Sequence, residues 1–192
     1  APIMTSRGCP FSCTFCHISI EKQNQLEIGD LRFKSVERVI QEINILKRLG
    51  VTKLFIEDDS LLAKKRRVKE IFNAILNEGL TIADVNGVNL VHLFTNTGDC
   101  LEPDESYLEL LFNAGFRQIV FPVEAGSQRI LAKYASNKLT LAKMNVLKLA
   151  KFATKIGIAC PVNMMIGFPD ETETEMMKSV MLAKKLVDVG VP

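Results

Sequence analysis

Thr5-Ser6-Arg7-Gly8-Cys9-Pro10-Phe11-Ser12-Cys13-Thr14-Phe15-Cys16 holds three of the chain's five cysteines, spaced CxxxCxxC. Three thiolates so close in sequence can converge on one compact, soft metal centre. Iron–sulfur clusters and zinc are the two centres that thiolate ligation favours. A four-iron cluster held by Cys9, Cys13 and Cys16 leaves one iron without a protein ligand, and chemistry can happen there. A structural zinc site closes with a fourth ligand. His17 is the nearby candidate, but it directly follows Cys16, which makes shared tetrahedral coordination awkward. Inert or disulfide-bonded thiols are the remaining alternative.

Outward from this loop the chain alternates short apolar runs with amphipathic ones. Pro2-Ile3-Met4-Thr5 reads as a first strand, and residues 17–34, without a clear period, as an extended loop. Ser35 caps a helix to about Leu49, with apolar residues at helical spacing and Gly50 as its stop. Residues 51–56 form a second strand ending at Glu57-Asp58-Asp59. A helix from about Lys64 to Asn77 follows, its basic run 64–69 facing solvent. Residues 80–91 hold a third strand interrupted at Asn86-Gly87, and Asn96-Thr97-Gly98-Asp99 is a turn. A helix from Asp104 to Asn113 leads to a fourth strand, Gln118 to Val123, in which Pro122 disturbs the ladder. A short helix from Ser127 to Tyr134 precedes a longer one, capped by Thr140 and running to Ile156. Ile158 to Ile166 is the fifth strand, and the last helix carries the capping box Thr172 with Glu175.

Strand and helix alternating over five units predict an α/β fold with a parallel sheet, either doubly wound or a barrel. The chemistry-bearing stretches follow the carboxyl ends of strands, where the active sites of βα barrels gather. No glycine-rich phosphate fingerprint follows a strand, which argues against a nucleotide-binding doubly wound fold.

The chain has 192 residues, 47% hydrophobic and 24% charged, as expected of one globular domain with a sizeable core. With a net charge of +2, no electrostatic case for nucleic acid or a membrane surface arises. Clustered cysteines without a disulfide-like pattern fit a reducing cytoplasm. The ends suggest an excerpt: Cys9 lies close to the first residue, and the chain stops just after a helix.

The CxxxCxxC loop with Phe15 before its last cysteine resembles the radical S-adenosylmethionine enzymes. Ser6-Arg7-Gly8-Cys9-Pro10-Phe11 is similar to the subgroup often fused to a cobalamin-binding domain. Glu57-Asp58-Asp59, Val85-Asn86-Gly87-Val88, Val123-Glu124-Ala125-Gly126-Ser127 and Met165 to Thr172 support the resemblance, in the family's order. It implies a partial parallel (β/α) barrel with about five of six units, residues 1–192 being the catalytic core. It also implies a 4Fe-4S cluster on Cys9, Cys13 and Cys16, whose open iron takes S-adenosyl-L-methionine. One electron would then release methionine and a 5′-deoxyadenosyl radical that abstracts hydrogen from a substrate. An electron donor such as flavodoxin or ferredoxin is implied, and cobalamin only through a domain outside this chain.

The same resemblance gives Phe15 to the adenine, and Asp58 or its neighbouring backbone to the ligand's ammonium group. The equivalent stretch in many family members is glycine-rich, so Asp58 is a departure. Glu124, costly to bury unpaired, falls at a contact position for the ligand, and Lys138 at one that can pair with the methionine carboxylate. Asn163, and more weakly Asn86, could hydrogen-bond ribose hydroxyls, the bland alternative being a satisfied core amide. Gly167 and Pro169 resemble the turn that shapes the adenine pocket. Cys100 and Cys160 read as free thiols behaving as small apolar residues, and His92 as structural.

Overall fold

The computed structural model describes residues 1–24, 29–98 and 100–192. Its first half runs β1 (Pro2–Ile3), β2 (Ser6–Arg7), α1 (His17–Gln23), β3 (Arg32–Phe33), α2 (Val36–Arg48), β4 (Lys53–Ile56), α3 (Lys65–Asn73) and β5 (Thr81–Asp84). Then come β6 (Phe94–Asn96), β7 (Leu101–Pro103), α4 (Glu105–Asn113), β8 (Phe116–Gln118), β9 (Phe121–Glu124), α5 (Gln128–Tyr134), α6 (Val146–Lys155), β10 (Val162–Met164) and α7 (Glu173–Asp188).

Strands β1, β4, β5 and β8 lie side by side in that order, every pair parallel. A second parallel pair, β9 with β10, continues the series, joined to the first sheet by the bridge between Gln118 and Ala159. Strand order therefore follows chain order without reversal. A doubly wound sheet must reverse at a switch point, so this is the open barrel arrangement.

Local chemistry explains the helices. Ser35 Oγ accepts the Arg38 amide at 3.2 Å at the start of α2, and Val39 and Ile43 on its inner face are buried. Thr172 and Glu175 form the expected reciprocal box at the start of α7. Phe72 of α3 meets Phe116 of β8 edge to face, ring centroids 4.9 Å apart, inside the core between helices and sheet.

Several boundaries differ from the sequence reading. The segment 17–34 is not an extended loop throughout: it contains α1, and β3 pairs antiparallel with β2. Residues 25–28 of that segment and Asp99 of the predicted turn lie outside the described residues. The helix expected from Lys64 to Asn77 is shorter, Lys65–Asn73. The third strand ends at Asp84, before Asn86-Gly87, and a 3-10 turn occupies Leu90–Leu93. The turn near residue 98 joins an antiparallel hairpin, β6 with β7.

The single fourth strand is in fact two, because the chain crosses from one sheet to the other at Ile119-Val120. Both residues are buried, and a continuous apolar run carries no mark of such a crossing. The long helix begins at Val146, capped by Asn145 accepting from Lys148 N at 2.9 Å, not at Thr140. Thr140 instead closes a separate turn, which bridges Met144 to the edge of β7. The fifth strand contracts to Val162–Met164.

Arg67 corrects the reading of 64–69 as a solvent face. It is buried, and its guanidinium donates to the Thr5 carbonyl at 2.9 Å and the Lys34 carbonyl at 2.8 Å. Removing such a donor leaves buried carbonyls unsatisfied. Arg67→Leu should therefore lower unfolding stability by ~2–4 kcal/mol. Arg66→Ala, on the exposed face, should stay within about 0.5 kcal/mol of the parent. Urea denaturation of both variants checks this.

Asp84 sets a second test. Its Oδ2 accepts the amides of Gly87 and Val120, each at 3.1 Å, so it holds the sheet crossing, while its buried Oδ1 has no partner. Burial pushes this carboxyl up to about 7. A raised acid binds its proton more tightly folded than unfolded. Its contribution to stability is thus full below its ordinary value of 3.8 and is lost as pH rises through about 7. Asp84→Asn keeps the shape and an acceptor. It should flatten the fall in stability between these limits, measured by denaturation at a series of pH values.

Candidate functional site

The cysteine loop is held by groups from the segment after β4, from α1 and from α5. Asp59 Oδ2 accepts the Gly8 amide at 2.7 Å, and Lys22 Nζ donates to the Cys9 carbonyl and, at 3.1 Å, to that of Phe11. Gly8 has φ +83°, and a Cβ there would collide with the Asp30 carbonyl, so the turn into Cys9 requires glycine. On the far side, Thr14 N donates to the Tyr134 carbonyl at 2.9 Å. Cys16 then caps α1, its carbonyl accepting from Ser19 N at 3.0 Å.

Cys9, Cys13 and Cys16 are free thiols, Cys13 buried and the others half-buried. All three line one cavity of about 510 Å³ at the carboxyl ends of the strands. Burial pushes the Cys13 thiol up, and the nearby Lys138 ammonium works against it. Among the described residues, no three His, Cys, Asp or Glu side chains gather closely enough for a single metal ion. A four-iron cube asks for a wider triangle of sulfurs than one ion does. The donor set, three soft thiols beside an open cavity that His17 also lines, fits that group and leaves room for a ligand on it.

The same cavity is lined by Phe15, Asn86, Glu124, Lys138 and Asn163, five further positions singled out from sequence. Glu124 ends β9 in the left-handed region, φ +67°, a strained conformation for a residue with a side chain. It pairs with Lys138 Nζ at 2.8 Å, and the two side chains are only 8% and 9% exposed. Asn86 Nδ2 donates to the Glu57 carbonyl at 2.9 Å. Asn163 is exposed to the cavity, so it is no core amide.

Three expected residues do not line the cavity. Asp58 is fully buried, its carboxylate accepting from Thr5 N and Thr5 Oγ1, both at 2.6 Å, and from Ser6 Oγ. Its neighbour Asp59 reaches the cavity instead, so the carboxylate available to a ligand there is one residue later. Gly167 and Pro169 form the turn behind: Glu171 Oε2 accepts the Gly167 amide at 2.7 Å. Phe168 is the residue of this turn that packs on a cavity residue, its ring centroid 5.9 Å from that of Phe15 and stacked at 4.9 Å on Tyr134. Asp170 locks that wall by accepting from Tyr134 Oη, Lys133 and Arg129. Lys133 and its neighbours hold the Asp170 carboxyl well below its ordinary value.

Sequence reading missed Asp59, Asn89 and Met165, which also face the cavity. Asp59 and Met165 stood in stretches already noted; Asn89 sits among apolar residues that give no signal. Cys160 is buried and its thiol pushed up to about 12 by desolvation, as befits a small core residue. A larger groove, about 650 Å³, lies between α7 and residues 141–147. It holds one cysteine, Cys100, so the chemistry selects the smaller cavity.

Comparison with known proteins agrees with the fold. The family model described as "Radical SAM superfamily" matches residues 3–183. An uncharacterised methyltransferase of Pyrococcus horikoshii is 32% identical over 96% of this chain and 36% of its own length. Cytidylyl-2-hydroxyethylphosphonate methyltransferase of Streptomyces wedmorensis is 30% identical over 87% of this chain and 28% of its own. The chain thus spans about a third of the relatives it matches. The radical S-adenosylmethionine methyltransferase TsrM from Kitasatospora setae, solved with cobalamin and a [4Fe-4S] cluster, superposes with a TM-score of 0.73 at 17% identity. That match covers 97% of this chain and 34% of TsrM, and it shows a shared fold.

The Glu124–Lys138 pair yields a prediction about both partners. Lys138→Met leaves a lone buried carboxylate and should cost ~3–5 kcal/mol of stability. The double variant Glu124→Gln with Lys138→Met should recover most of that loss, since no charge is then left uncompensated. A double-mutant cycle by urea denaturation of the iron-free protein measures the difference.

Proposed function

This chain belongs to the radical SAM superfamily, and on that premise we propose that Cys9, Cys13 and Cys16 hold a four-iron cluster beside a site for S-adenosylmethionine. When bound, the cluster supplies the electron that splits S-adenosylmethionine into methionine and a 5′-deoxyadenosyl radical, which takes a hydrogen atom from substrate. The observation that carries the reading is the shared cavity: three thiols open onto the same space as a buried ion pair, an aromatic face and three amides.

The residues then divide the ligand between them. Lys138 offers its ammonium to the methionine carboxylate, and Glu124 and Asp59 offer carboxylates to the amino group, each contact charge-assisted. Phe15, backed by Phe168, offers an apolar face to the adenine. Asn163 and Asn86 present amides suited to ribose hydroxyls. Gly167 and Pro169 act one layer back, by setting the position of Phe168. A flavodoxin or ferredoxin is the class of donor that would supply the electron. For the net reaction we favour methyl transfer, supported by the names of the two relatives, although each is about three times the length compared here. Among the described residues no helix is long and apolar enough to cross a membrane.

The test is electron paramagnetic resonance on anaerobically reconstituted, dithionite-reduced protein, with and without S-adenosylmethionine. The expected result is a four-iron signal that changes shape with the ligand and disappears in Cys13→Ala. Phe15→Ala should keep the iron and weaken the ligand-induced change by roughly tenfold in affinity, the scale of one base–aromatic stack. One equivalent of zinc in place of iron would overturn the reading in favour of a non-catalytic, zinc-stabilised binding module.

A further inference from the structure

Asn89 lies beside the cysteines yet has no part in holding the ligand as described above. It sits just before the 3-10 turn that follows β5, and it is 5% exposed. Its Nδ2 donates to Ser60 Oγ at 2.8 Å and approaches Cys9 Sγ at 3.6 Å. A primary amide nitrogen carries two hydrogens, so each contact has its own and neither competes. Sulfur is larger than oxygen, and an N–H···S separation is correspondingly longer than an N–H···O one.

The orientation is well determined by chemistry. A metal-bound cysteine sulfur can only accept, whereas the Ser60 hydroxyl can accept or donate. Turning the amide over would set the lone pairs of Oδ1 against those of Sγ. The backbone on both sides is pinned, with Val88 N on the Val120 carbonyl at 3.1 Å and His92 N on the Asn89 carbonyl at 3.1 Å. Ser60 itself is fully buried. The amide therefore points at Cys9 from a fixed support, not from a mobile loop.

We propose that Asn89 is a positioning residue that makes the cluster easier to reduce, by donating a hydrogen bond to the sulfur of Cys9. Reduction adds one negative charge, part of which falls on the ligand sulfurs. A donor aimed at one of them stabilises the reduced form more than the oxidised one, and burial strengthens the effect. This rests on the assignment of Cys9 as a cluster ligand.

The experiment is an anaerobic redox titration of the reconstituted protein, followed by the reduced-cluster resonance. Asn89→Leu removes the donor at similar volume. Asn89→Asp keeps the shape and an acceptor for Ser60 but puts an oxygen where the N–H was. Ser60→Ala leaves the donation to Cys9 intact. Asn89→Leu should make reduction roughly tenfold less favourable, about 59 mV more negative for a one-electron couple. Asn89→Asp should fall at least as far, and Ser60→Ala should stay near the parent. An unmoved midpoint in Asn89→Leu overturns the proposal, as does a Ser60→Ala shift of equal size, which would mark a merely structural effect. Should neither Asn89 variant load iron, the parent protein decides. With asparagine labelled by ¹⁵N in its side chain, pulsed resonance of the reduced cluster should show a coupled nitrogen, and its absence overturns the proposal. A protein that assembles no four-iron cluster overturns the cofactor assignment as well. A normal cluster with an unmoved potential sinks this inference alone.

Discussion

A carboxylate without solvent organises the entrance to the cysteine loop. Asp58, at the end of β4, is 0% exposed and takes donors from Thr5 and Ser6, the residues that lead from β1 toward Cys9. Burial raises its carboxyl, and these hydrogen bonds oppose the rise. A buried charge of this kind tolerates few arrangements, because every lost donor leaves it exposed to a low-dielectric interior. Arg67 from α3 closes the same knot by bonding the Thr5 backbone and side chain. The residues that lead into the loop are thus tied to the segment after β4 and to α3. The next carboxylate along, Asp59, extends that grip to Gly8 and at the same time faces the cavity.

What was readable in the sequence follows from how local each determinant is. Ser35, Asp104 and the Thr172–Glu175 box act over three residues and were placed correctly, as was the glycine stop at 50. The parallel, non-reversing strand order followed from alternation plus the position of the motifs. Non-local determinants were not readable. The break at Ile119-Val120 depends on Asp84 reaching Val120 from another strand. The burial of Arg67 depends on carbonyls 33 and 62 positions earlier, so its place in a basic run pointed the wrong way.

The candidate site divides along the same line. The cysteines announce themselves by spacing and Glu124 by a charge at a strand end, whereas Phe15 was singled out by the resemblance alone. Which of two adjacent aspartates faces the cavity depends on side-chain direction at a strand terminus, and that needs coordinates. The turn holding Gly167 and Pro169 was recognised, but the residue of it that touches Phe15 is Phe168. Asn89 lacked any signal because an amide among Val88, Leu90 and Val91 looks like an ordinary core substitution.

The ion pair between Glu124 and Lys138 constrains how this sequence can drift. Either residue lost alone strands the other's charge in a place almost closed to water, so single steps away from the pair are steep. The backbone at 124 narrows the route further. With φ at +67°, glycine fits that position more easily than any residue with a Cβ. Divergent versions of this chain should therefore show covariation between the two positions, with glycine at 124 accompanied by an uncharged residue at 138. The left-handed turn at the end of β9 is, in evolutionary terms, a hinge between two discrete solutions instead of a continuum of them.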